Sequence, residues 1–160
     1  MKGDVRVIEL LNQALRDELT AINQYWLHYR LLDNWGIDKL AAFERHESID
    51  EMKHADRIAE RILFLDGLPN FQMLGRLRIG ENVPEILKAD LEAEYEACKL
   101  YREIIAHAES VRDFVTRDLA AEILQDEEGH VDFLETQIEL IGRMGLENYI
   151  QLQSKPADSE

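Results

Sequence analysis

A single cysteine, Cys98, excludes an internal disulfide and any paired-cysteine metal site, and reads as a small core residue. Three prolines and eight glycines are too few to punctuate an all-β chain, and runs of β-branched residues are scarce. Basic charge is short as well. Eighteen Lys and Arg stand against 33 Asp and Glu, a formal charge of −15 at pH 7. Such a surplus repels a nucleic-acid backbone or an anionic membrane and makes cations the natural guests. No apolar run is long enough to span a bilayer, and the opening MKGDVRVIELL mixes charges into its apolar residues, unlike a secretory signal. The expectation is a soluble, cytoplasmic protein with neither nucleic acid nor membrane as partner.

What the sequence has in quantity is Leu, Ile, Ala, Glu and Arg, the residues of helices, in 160 positions that suit one domain. Apolar residues recur at three-and-four spacing through Ile8, Leu11, Leu15, Leu19, Ile22 and Trp26, after a candidate cap at Asp4. Asn34, Trp35 and Gly36 break that helix, and Asp38 is the expected cap of a second. GLPNFQMLGRLRIGEN, residues 67–82, reads as a loop; Asn82 with Pro84 and Glu85 opens a third helix; a weak break near residues 110–113 precedes a fourth. Gly142 and Gly145 are expected to end the fourth, and LENYIQL to form a short fifth.

The first and third connections are tight, which predicts two antiparallel hairpins. The 16-residue middle loop is long enough, at up to about 53 Å extended, to run the length of a bundle whose helices are roughly 42 Å long. The fold class is therefore all-α: a four-helix bundle with one long crossover and a short C-terminal helix, residues 1–153, followed by a loose tail, 154–160.

The two hairpins share a pattern. Glu18, Glu51 and His54 in the first half have counterparts 76 positions later in Glu94, Glu127 and His130. Three residues along a helix is about 300°, so each Glu-x-x-His pair projects from one face. All four glutamates interrupt apolar stripes near the middle of their helices, where buried and unpaired carboxylates would cost several kcal/mol each. Two divalent ions would bring +4 against −4. Carboxylate with imidazole and no thiolate suits iron or manganese, and the donor types leave zinc open.

The segments NQYWLHYRLLDNWG, HESIDEMKHAD, RILFLDGLPN, LRIGEN, DEEGHVDFLETQ and GLENY, spread over nearly the whole chain, resemble the bacterioferritins, haem-containing members of the ferritin family. The six-residue donor set is the one known for ferritin-like di-iron bundles. The resemblance implies that Glu18, Glu51, His54, Glu94, Glu127 and His130 are ferroxidase ligands for two iron ions per chain, with Glu51 and Glu127 bridging. It implies iron storage and detoxification: Fe²⁺ oxidised with O₂ or H₂O₂ and deposited as ferric oxide mineral inside a hollow homo-oligomer of 24 chains built from two-fold dimers.

It further implies that Met52 ligates a haem b shared between two chains, fed by a small ferredoxin-type electron donor. Met52 is turned about 100° from Glu51, away from the bundle centre. His46 and Asp50 are implied to hold another iron on the cavity wall; as residues alone they read equally as a surface helix pair. Tyr25, seven beyond Glu18, reads as a donor to a ligand, a source of an electron, or aromatic packing. Asp90 and Asp126 are candidates to back the metal ligands but read better as solvated helix positions, His28 and His107 read as structural, and Gly129 as a point of close approach or local distortion. Phe133 stands where many bacterioferritins carry a larger aromatic with a polar atom, which argues against a radical role there. One rival reading is a di-iron or di-manganese peroxidase or oxygenase of the same superfamily without mineral storage; a non-catalytic haem or metal carrier is another.

Overall fold

The computed structural model describes residues 1–157, and among these there is no strand. Asp4 stands in extended backbone and its carboxylate accepts the Val7 amide at 2.9 Å, which starts α1 (Val5–Asn34). Gly36, at φ +81°, takes the left-handed turn that closes the first hairpin. α2 (Asp38–Phe64) follows. Asp38 is not its cap: Ile37 holds that position with no side-chain bond, and Asp38 is the first helical residue, its charge against the positive end of the helix.

α3 (Val83–Ser110) opens on Asn82, whose side chain accepts the Glu85 amide at 3.0 Å, while the Glu85 carboxylate accepts the Glu81 amide at 2.8 Å. Asp113 caps α4 (Phe114–Met144) through the Thr116 amide. Gly142 does not end α4. It lies inside the helix, and Gly145, at φ +83°, makes the break before α5 (Leu146–Leu152). Of the expected tail, residues 158–160 lie outside the described residues. Ser154 still donates to the Ile150 carbonyl at 2.9 Å.

The Gly3 amide meets the Leu65 carbonyl at 3.0 Å, so α1 begins where α2 ends and the first hairpin is antiparallel. α1 packs on α2, α3 on α4, and α1 on α3. Two apolar clusters result. One gathers Leu11, Leu15, Ile58, Ile62, Leu65, Ile104 and Ile123; the other gathers Leu32, Leu40, Val83, Ile86, Leu134 and Tyr149. Because Leu65 belongs to the first cluster and Val83 to the second, the intervening chain travels the length of the bundle, as its reach allows. Polar side chains of α1 hold it on the way: Asn12 accepts the Asn70 amide, Thr20 that of Gly75, Gln24 that of Arg78 and His28 that of Gly80, at 2.7–3.0 Å. The gap between the two clusters is where the bundle buries its charge.

A candidate metal centre between two apolar clusters

Glu18 comes from α1, Glu51 and His54 from α2, Glu94 from α3, and Glu127 and His130 from α4, and all six are buried. The structure brings them together in two overlapping sets. Glu18, Glu51, His54 and Glu127 each offer an atom within 4.8 Å of the others, and so do Glu51, Glu94, Glu127 and His130. Glu51 and Glu127 belong to both. Each imidazole turns Nδ1 inward: His54 Nδ1 is 3.1 Å from Glu127 and 3.6 Å from Glu18, and His130 Nδ1 is 3.3 Å from Glu51 and 3.4 Å from Glu94. These inward nitrogens have no hydrogen-bond partner, nor do Glu18 Oε2, Glu94 Oε2, Glu51 Oε1 and Glu127 Oε1. Buried donors left open in this way call for a guest that accepts lone pairs.

The outward nitrogens are backed by carboxylates. His54 Nε2 is hydrogen-bonded to Asp126 at 2.9 Å, and His130 Nε2 lies 2.6 Å from Glu47 Oε2 in an ion-pair contact without hydrogen-bond geometry. Such backing fixes a ring's orientation and raises its basicity toward a metal. Asp126 is thus more than a solvated helix position, although its side chain is largely exposed. Two tyrosines brace the remaining carboxylates across the halves: the Tyr25 hydroxyl donates to Glu94, and the Tyr101 hydroxyl donates to Glu18. Tyr25 and Tyr101 are themselves 76 positions apart, so the sequence repeat extends to them.

Asp90 is fully buried, contrary to the expectation of a solvated position, and accepts Gln24 and His28, both at 2.9 Å. Glu44 and Glu47, buried on α2, escaped the sequence reading altogether. The signal was present: 44, 47, 51 and 54 follow one inward stripe at helical spacing. His46 and Asp50 do sit together, at 3.2 Å, with Glu47 at 4.0 Å, on an exposed part of α2. Phe133 stacks on Phe43 with centroids 3.8 Å apart, so both serve as packing. His107 pairs with Asp4 at 2.9 Å.

The centre has two openings. On the α1–α3 side a cavity of about 800 Å³ reaches Glu18, Glu51, Glu94 and Glu127; on the α2–α4 side another, about 640 Å³, reaches His54 and His130. Gly129 lines the second. A side chain built there would meet nothing within 4 Å, which corrects the expectation of a close approach.

Electrostatics give the metal-free centre its protons. Burial, then the charge of Glu51, pushes the Glu18 carboxyl well above its ordinary range, and burial with Glu51 and Glu94 does the same to Glu127. Burial also pushes Glu51 up, but hydrogen bonds with Glu18 and the two histidines outweigh it and hold that carboxyl low. For His54, burial opposes the charged form, yet Glu18 and Glu51 lift it to about 11; His130 is raised likewise by Glu47, Glu51 and Glu94. The direction of both shifts favours the charged ring in the absence of metal, so a metal that binds either imidazole competes with a proton. Titration with Co²⁺ near pH 7, in buffers of different ionisation enthalpy, is expected to show about one proton or more released per ion bound. Affinity should weaken as pH falls. Buffer-independent heats with affinity unchanged down to about pH 6 would contradict this account.

The Ferritin family profile, described as a ferritin-like domain, matches residues 8–144. A bacterioferritin of Brucella melitensis biotype 1 is 54% identical over 158 residues, which cover 99% of this chain and 98% of that protein. The bacterioferritin of Rhodobacter capsulatus is 54% identical over 159 residues, 99% of each chain. That of Mycolicibacterium paratuberculosis is 49% identical over 157 residues, 98% of this chain and 99% of the relative. These similarities run through both hairpins and the crossover alike.

Proposed function

Because this chain belongs to the bacterioferritin family of ferritin-like proteins, we propose that it stores iron and that its six-residue centre is a ferroxidase. The observation that carries the reading is the pair of overlapping donor sets sharing Glu51 and Glu127. Two Fe²⁺ substrates held there would be neutralised by four carboxylates and kept adjacent by the shared pair. With O₂ as oxidant, two Fe²⁺ and two protons yield two Fe³⁺ and H₂O₂; with H₂O₂, they yield two Fe³⁺ and two waters. The cavity on the α1–α3 side is the way in, and the one beside His54 and His130 is the way out. There Glu47 sits against His130 and close to the exposed His46–Asp50 pair, and the three would receive iron on its way to a ferric mineral.

The mineral needs an enclosure, and a homo-oligomeric shell of 24 chains built from two-fold dimers supplies it. Met52 fits a role between chains. It is 51% exposed beside buried Glu51, and Ile49, one turn away, is exposed as well. Its thioether would hold a haem b shared with a second copy, and haem supplies one-electron transfer when bound. A small ferredoxin-type donor would feed it in the cytoplasm. Met52→Leu is expected to purify as a particle of unchanged size with its haem absorbance lost.

The test of storage is uptake. Purified protein given successive Fe²⁺ additions under air should oxidise them far beyond two per chain and retain the product in a very large particle. Uptake that stops at two ions per chain would favour a carrier, and turnover of peroxide without retained iron would favour a peroxidase.

A further inference from the structure

The internal repeat that relates the two hairpins does not extend to every buried polar position. Positions 28, 44 and 90 hold His28, Glu44 and Asp90; their counterparts, displaced by the same 76 residues, are Ile104, Ala120 and Ala14. Those three are members of the first apolar cluster. On one side of the centre these positions are thus filled with hydrocarbon, whereas on the other side, before the second apolar cluster begins, they bury a histidine and two carboxyl groups at 0% exposure. The apolar solution is present in the same molecule.

The open valences of this cluster point to a ligand. With the Gly80 amide donating to His28 Nε2, the proton of a neutral His28 sits on Nδ1 and is given to Asp90 Oδ1, 2.9 Å away; Gln24 donates to that same oxygen. Asp90 Oδ2 has no partner. Neither has either oxygen of Glu44, and donor atoms of the three residues lie within 4.8 Å of one another. Three unpartnered carboxylate oxygens therefore sit on two fully buried side chains whose donor atoms come together.

We propose that Glu44 and Asp90 form a separate site for one divalent cation, held by both oxygens of Glu44 and Oδ2 of Asp90, with His28 and Gln24 fixing the aspartate. Two negative charges match one such ion, and an all-oxygen donor set suits a hard one such as Fe²⁺ or Mn²⁺. A route exists. Gln24 and Gly80, the groups bonded to Asp90 and His28, line the α1–α3 cavity that leads to the six-residue centre, so the site is one side chain behind that wall. Tyr25 lies within reach of the charges of Glu94, Asp90 and Glu44 together, which places the new site beside the centre while leaving their ligands distinct. The proposal goes beyond iron oxidation and holds whether or not the centre is a ferroxidase.

Crystals of the assembled protein soaked in Co²⁺ alone, measured at the cobalt edge, decide it. The expected map has a peak between Glu44 and Asp90 besides those at the six-residue centre. In E44Q that single peak disappears, and equilibrium dialysis finds one Co²⁺ fewer per chain. Cobalt at the centre with none between Glu44 and Asp90 in the wild type overturns the proposal and leaves the pair sharing a proton. The wild-type map suffices for this, however E44Q folds. A peak at Glu44 and Asp90 with the six-residue centre empty would support this site and count against the ferroxidase reading instead.

Discussion

Glu51→Ala is expected to slow Fe²⁺ oxidation by about 100-fold or more, equivalent to roughly 3 kcal/mol in the barrier. Glu51 contributes to both donor sets, so under the proposed reading its loss would loosen both ions and remove a donor they share. Glu94 contributes to one set only. Glu94→Ala should therefore leave the first ion bound and cost less in binding, though oxidation by a pair still fails. Rapid mixing of anaerobic protein and Fe²⁺ with oxygenated buffer, read as ferric absorbance, checks the rates; anaerobic ion counts check the binding. An initial rate in Glu51→Ala close to that of wild type would refute the shared-donor account.

The second large effect is on stability, with a sign that depends on metal. Glu127 is buried, faces other carboxylates and receives no tyrosine hydroxyl. Burial holds this carboxyl toward its neutral form with one oxygen unpartnered, so replacing it with leucine of similar volume should make the metal-free protein more stable by about 1–3 kcal/mol. The same variant should lose the stabilisation that divalent ions give the wild type, about 2.7 kcal/mol for each independent site at 100 times its Kd. Glu18→Leu makes an internal control. It strands the buried Tyr101 hydroxyl, a penalty of about 1–3 kcal/mol, so its gain should be smaller or absent. Thermal unfolding with chelator and with Co²⁺ reads both. A Glu127→Leu protein less stable than wild type in chelator would mean that these carboxyls are compensated without metal.

The four helices, the bundle-length crossover and the six clustered donors were legible from spacing taken with position, because a duplicated Glu-x-x-His on apolar stripes buries carboxylates that must be protonated or met by cations. Less was legible where phase alone carried the information. HESIDE places three acidic residues within six positions, and only the helical stripe separates buried Glu47 and Glu51 from half-buried Asp50. Asp90 lies four before Glu94 on the same kind of stripe, yet an acidic residue in a helix defaults to solvent unless its partners are known. Those partners, Gln24 and His28, are on another helix, more than sixty positions away. Asp38 and Gly142 misled for local reasons. Gly36 already turned the chain before Asp38, and a glycine inside a long helix costs only about 1 kcal/mol, which tertiary packing absorbs.

The division of donors between hairpins has a consequence for how the molecule comes together. Contacts within each hairpin are near in sequence and form early, whereas the pairing of the halves waits on the crossover. Each half carries only two glutamates and one histidine of the six, too few to hold a pair of ions. If the centre binds iron as proposed, the metal would act as a late rivet between two halves formed first. A cell starved of iron would assemble a protein whose halves meet but grip less firmly.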